Sequence, residues 1–201
     1  MTDPVTRRTY GRFQIYGLSV LCFLIWSVAG CSSNNLKQFV RPNYDINAVK
    51  TVAVLPFRNL TSDNYAGEKI RSKISIELLS RGVNIIEPGE IFSVMQELKI
   101  KSVDSMRNND MVSVGSMLKV DTVLTGSVEA FGISRGITVS YPEVSVHLVM
   151  FDTITGNIVW SAWRTSGGAS FWTRHFGAEG STLDNVSERV IKEAFDALYG
   201  H

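Results

Sequence analysis

The run Lys50-Thr-Val-Ala-Val-Leu-Pro-Phe57 constrains this chain more than any other feature. Side chains alternate along a strand, so Val52 and Val54 point to one side while Ala53, Leu55 and Phe57 point to the other. A strand that is apolar on both faces belongs in the middle of a sheet with a layer packed on each side. Pro56, which has no N–H for a ladder, marks its end.

The rest of the chain supplies those layers. Asn59–Asn64 is turn and N-cap material, followed by a helix over Tyr65–Ser80 whose Ala66, Ile70, Ile74 and Leu78 form one stripe. Arg81-Gly82 closes it. Val83–Glu87 reads as a short strand, and Pro88-Gly89 opens a helix that buries Ile91, Val94, Met95 and Leu98. After the polar stretch Lys99–Asn109, a third helix over Asp110–Lys119 uses Met111 or Val112 with Val114 and Leu118. Asp121–Ala130 and Val144–Phe151 are strands, the second with Val146, Leu148 and Met150 opposite His147, Val149 and Phe151. Thr155-Gly156-Asn157 turns the chain into Ile158–Trp163, which makes a hairpin. A last helix, Thr182–Tyr199, buries Leu183, Val186, Val190, Ala194 and Leu198 ahead of Gly200. The order β-α-β-α-α-β-β-β-α specifies an α+β domain, a mixed or antiparallel sheet with helices packed on it.

The first thirty residues follow a different logic. Arg7, Arg8 and Arg12 precede an uncharged apolar run, Ile15–Val28. As a helix this run covers about 21 Å, short of the roughly 30 Å hydrocarbon core, so it reads as a secretory signal and not as a span. Val28-Ala29-Gly30-Cys31 then matches the pattern of a bacterial lipobox, in which the cysteine thiol is acylated and the chain is cut before it. The alternative is an uncleaved anchor with an incidental cysteine. The expected organisation is a signal peptide at 1–30, a lipidated tether at 31–48 and a folded domain at 49–201. Ser32, where an aspartate would retain a lipoprotein in the inner membrane, favours the outer membrane, with the domain on its periplasmic face. Cys22 falls within the signal, so the mature chain has neither a disulfide framework nor a free thiolate.

The search for chemistry is negative. With 20 Lys+Arg against 19 Asp+Glu and a net charge of +1, the chain has no global attraction for nucleic acid. Its 44% hydrophobic content excludes bulk disorder. The three histidines, His147, His175 and His201, lack metal-ligand spacing, so no metal or cofactor is expected. His147 reads as a packed or edge residue, and Asp152 as an acceptor for the following turn. No nucleophile elbow, phosphate loop or carboxylate pair occurs, and the chain reads as a non-enzyme. One segment stands apart: Gly167–Gly180 carries four glycines with Phe171, Trp172 and Phe176. These aromatics either fold back onto the core or form a contact surface toward lipid or a neighbouring subunit.

Val52–Phe57 with Asn59-Leu60, then Leu118–Val128, then Val146–Ser161 together resemble the CsgG/TolB-N-like group of periplasmic domains over residues 50–199. The group includes curli-secretion, exopolysaccharide, flagellar and synthase-activating lipoproteins. Its barrel-forming members carry two long amphipathic hairpins, and the fifteen or so residues between Val128 and Val144 are too few for that. Its LpoB-type members use a long proline-rich linker, which the seventeen-residue stretch 32–48 does not resemble. Its PelC-type members are barrel-free and form a ring that presents an aromatic residue to lipid; by position, Trp172 is the candidate. The resemblance therefore implies a non-enzymatic outer-membrane lipoprotein, anchored through Cys31 and forming a homo-oligomer. Such a protein would serve protein or exopolysaccharide secretion or envelope assembly through contacts with export or envelope proteins. The alternative is a regulatory module that activates a peptidoglycan synthase.

Overall fold

The structure, a computed structural model, describes residues 36–135, 140–166 and 182–200. Among these are seven strands: β1 (Leu36–Val40), β2 (Thr51–Val54), β3 (Arg58–Asn59), β4 (Asn84–Ile85), β5 (Thr122–Arg135), β6 (Ser140–Asp152) and β7 (Ile158–Ser166). Four helices accompany them: α1 (Ala66–Ser80), α2 (Pro88–Glu97), α3 (Asn108–Leu118) and α4 (Leu183–Tyr199). The strands form one mixed sheet in the order β1-β7-β6-β5-β2-β4, with β3 also paired to β5. The architecture is α+β.

Chain connectivity dictates where the helices lie. β2 is parallel to both β4 and β5, so each of these links needs a crossover. From β2 the chain steps outward through α1 to β4, then back across β2 through α2 and α3 to β5. Parallel crossovers are right-handed, and steps in opposite directions therefore put their helices on opposite faces. Val52 and Val54 accordingly join the core beneath α1 and α4, while Ala53 and Leu55 join the one beneath α2 and α3. The doubly apolar strand is covered on both sides, as its pattern requires.

Local chemistry sets the helix ends. Ala66, Ile70, Ile74 and Leu78 of α1 are fully buried, each large side chain contributing about 1.5–3 kcal/mol of transfer free energy. The buried Arg71 donates from Nε to the Val54 carbonyl at 2.9 Å, tying α1 to the end of β2. Gly82 has φ +78°, a left-handed conformation that L side chains rarely adopt, and the chain leaves α1 there. In α3 the apolar contact falls on Met111 and not Val112. Thr182 caps α4 by accepting from the Asn185 N–H at 3.1 Å, and Phe195 adds a ring 5.3 Å from Trp160 in the core.

Three expectations are corrected. Residues 36–48, expected as a tether that packs on the domain only in part, through Phe39, Val40 and Tyr44, belong to the folded body. β1 pairs with β7 from Leu36↔Arg164 to Val40↔Trp160, and Tyr44, Ile46 and Val49 pack on the core, so the folded body starts at Leu36 and not at residue 49. Between Val128 and Val144, residues 129–135 and 140–143 are strand. β5 runs on to Arg135 and pairs with β6 from Ser140, past a register shift between Val128 and Ala130. Finally, the strand expected over residues 83–87 pairs only at Asn84–Ile85, while β3 resumes pairing with β5 just beyond Pro56, where a turn was expected.

Candidate interaction surface

The two halves of the sheet are dressed differently. α2 and α3 cover β2, β5 and the Phe151 end of β6, whereas the face of β6, β7 and β1 opposite α4 carries no helix among the described residues. Pairing registers fix what shows there. Lys37, Trp163, His147 and Ser127 form one cross-strand row; Phe39, Ser161, Val149 and Thr125 form the next. Gln38 lies on the other side of β1, where its amide donates to the Ala197 carbonyl of α4.

The row is held rigidly. His147 stacks on Trp163 with centroids 5.5 Å apart and planes 26° from parallel. The indole N–H donates to Ser145 Oγ at 3.2 Å, and Ser145 shares a 2.8 Å hydrogen bond with Thr165. Trp163 remains 45% exposed and Phe39 46%. The result is a flat shelf with two half-exposed aromatic side chains and a polar frame whose hydrogen bonds are already made. Shelves of this kind serve as protein-contact surfaces, where rigid aromatic anchors give contact area at little entropic cost.

His147 Nε2 also lies 3.0 Å from Ser161 Oγ. A serine next to a base is one step toward nucleophilic catalysis, which further needs a group to orient the base and donors for an oxyanion. The neighbouring ring is Trp163, no carboxylate among the described residues bonds the imidazole, and the sheet's own ladder takes up the adjacent N–H groups. The pair frames the shelf. Gly126, across β5 from it, has no room for a side chain: a Cβ there would lie 1.9 Å from the His147 carbonyl oxygen.

Two concavities flank the body. A groove of about 580 Å³ runs beside α2, floored by Phe57, Met95 and Ile100, with Leu60 and Phe92 exposed at its edge and an Arg58–Asp104 ion pair at 3.5 Å on its rim. A cleft of about 460 Å³ brings Tyr44, Asp121 and Asp152 together. Burial, then the Asp152 and Asp121 carboxylates, push the Tyr44 hydroxyl up to about 12, so it stays protonated and donates to Asp152. Burial alone would raise the Asp121 carboxyl, but the Lys50 and Thr51 N–H groups and the Thr51 hydroxyl hold it below the usual carboxylate range. Asp152 accepts from the Thr155 N–H at 2.8 Å, the turn role read from its position. These carboxylates are thus engaged in closing loops.

Cys31, Phe171, Trp172 and Phe176 lie outside the described residues, as does His175. Of the shelf residues, sequence reasoning placed His147 correctly as a packed strand residue and missed the row it belongs to. The missing signal was β1, whose five residues read as polar linker.

No curated protein sequence matches the chain significantly. Among solved structures, PelC from Paraburkholderia phytofirmans, described as a dodecamer, matches at 23% identity and TM-score 0.54, over 80% of this chain and 95% of that one. A second crystal form of PelC, carrying one substitution, gives 22% identity and 0.57, over 81% and 97%. Lipoprotein GNA1162 from Neisseria meningitidis gives 15% identity and 0.53, over 76% and 99%. At these identities the likeness is one of fold. The family model for the peptidoglycan-synthase activator LpoB matches residues 25–164, from before the folded body to the end of the shelf on β7. By that match, the chain belongs to the LpoB family.

Proposed function

We propose that the chain is a non-enzymatic envelope lipoprotein that activates a peptidoglycan synthase by binding it. The match to the activator family across residues 25–164 carries this reading. The aromatic shelf beside β1 supports it, since activation by contact needs a rigid exposed surface and no reacting groups. Residues 1–30 act as the signal and Cys31 as the acylated anchor in the outer membrane. Because the body begins at Leu36, five residue steps separate anchor and sheet, a reach of at most about 18 Å. The domain is therefore held against its membrane, and the synthase has to extend toward it.

The test has two arms. Cells expressing the chain are fed labelled palmitate; the chain takes up label and Cys31→Ser does not. The glycan polymerisation rate of the host's peptidoglycan synthases is then measured with and without the purified protein. Rates unchanged for every synthase would remove the activator reading.

One observation favours a second reading. The fold is shared over 95–97% of the length of PelC, a dodecamer, and the short connection to Cys31 suits a body seated at the membrane. In this reading the chain is an oligomeric accessory of an export system, with Phe171, Trp172 and Phe176 as contacts to lipid or to the next subunit. A discrete multimer in light scattering favours it; a monomer with synthase stimulation favours the first.

A further inference from the structure

The side of the molecule opposite the shelf carries a second unpartnered surface. Ser72, Ile76 and Leu79 lie seven, eleven and fourteen residues beyond Tyr65, the N-cap of α1, which places the three on the outward stripe of that helix in line with its cap. Ile76 is 66% exposed and Leu79 52%. Between this stripe and α4 is a hollow of about 160 Å³ lined by Lys73, Ile76, Glu77, Glu188 and Ile191. Lys73 is occupied by Asp184 at 2.5 Å, and Glu77 by Arg81. Glu188, by contrast, has no ion-pair partner among the described residues, and neither does Lys37 at the edge of the shelf.

We infer that a second copy of this chain occupies each surface: Phe39 of one copy's β1 enters the hollow between α1 and α4 of the next, with Lys37 against Glu188. Each patch shows two large exposed apolar side chains, Phe39 and Trp163 on the shelf and Ile76 and Leu79 on α1, each has one uncommitted charge at its border, and the charges are opposite. A like pairing of either patch with itself would bring Lys37 to Lys37 or Glu188 to Glu188. Because the patches sit on opposite faces of the sheet, the contact is heterologous, leaves a free patch at each end and repeats from copy to copy. The inference rests on the oligomeric reading above and names the surfaces that reading requires.

Cysteine cross-linking of the full-length chain in membranes tests it, with the chain's own cysteines present in every variant. Lys37→Cys combined with Glu188→Cys gives a ladder of covalent multimers on mild oxidation, and each single variant gives none beyond the parent chain. Dimers from either single variant, or no ladder from the double variant at parent-like melting temperature, overturn the pairing. Charge exchange supplies the second measurement: Lys37→Glu lowers the multimer mass in light scattering, and adding Glu188→Lys restores it. If the parent chain is multimeric but indifferent to all four changes, this contact is wrong while the oligomeric reading stands. A monomeric parent chain removes both.

Discussion

The parallel half of the sheet and its antiparallel half solve different problems with the same backbone. In the parallel half, β2 is sandwiched between α1 and the α2–α3 pair, and Val52, Ala53 and Leu55 are all fully buried. In the antiparallel half, β6 and β7 bury one face beneath α4 and leave the other as the shelf, so buried Val146, Leu148 and Met150 alternate with partly exposed His147, Val149 and Phe151. Crossover geometry forces the first arrangement, since every parallel link lays a helix on the sheet. Hairpins lay down nothing, and the second half keeps one face free. The crossover half is thus buried on two faces, and contact surface is left where the chain turns back.

Two tryptophans on one strand make the contrast measurable. Trp160 is fully buried against Phe195, whereas Trp163, three residues on, belongs to the shelf. Trp160→Ala is expected to cost about 3–5 kcal/mol in urea unfolding, the range for a large core aromatic. Leu55→Ala, in the doubly covered half, should cost about 2–5 kcal/mol. A loss below about 1 kcal/mol for either would mean that this part of the core is loosely packed.

Arg81 marks the seam between α1 and α4. Its guanidinium bonds Glu77 and Asp196 and lies 5.4 Å from the Tyr199 ring and 6.0 Å from that of Phe195. Arg81→Ala removes the cation and leaves two partly buried carboxylates facing each other, an expected loss of about 2 kcal/mol. A smaller effect follows pH. The Arg81 hydrogen bond holds the Asp196 carboxyl below its ordinary range, and N–H donors do the same for Asp121 against the opposing effect of burial. Both folded-state values are depressed, so their stabilisation is complete above the unfolded carboxylate pKa of about 4 and is lost as pH falls through the folded values. Urea midpoints should be level from pH 7 to 5 and drop below about pH 4, less steeply in Asp121→Asn. A drop that begins above pH 6 would point to histidine instead.

Legibility in the sequence follows the same division. The stripe Ala66, Ile70, Ile74, Leu78 and the run Val52–Leu55 were readable because burial on a helix or on both strand faces leaves a period that water would not tolerate. β1 was not readable. An edge strand with one free side and one half-exposed face needs no apolar alternation, and Leu-Lys-Gln-Phe-Val shows none. Without β1, neither the row Lys37–Trp163–His147 nor the true start of the domain could be assembled. The extension of β5 to Arg135 was hidden similarly, since Gly132, Ser134 and Arg135 lie toward the tip of a hairpin where little is buried. The lipobox pattern Val28-Ala29-Gly30-Cys31 is a reading of sequence alone and owes nothing to the fold.

The smallest expected change in stability is the one most diagnostic of contact. Trp163→Ser removes a half-exposed ring that stacks on His147 and donates one hydrogen bond to Ser145, so it should shift the urea midpoint by about 1 kcal/mol or less. The same change strips the shelf of its larger aromatic anchor, and multimer mass or synthase stimulation should fall although the fold survives. Trp160→Ala should show the reverse order, losing stability first and contact only as a consequence of unfolding. If Trp163→Ser proves as destabilising as Trp160→Ala, the indole is part of the core and the shelf is no contact surface.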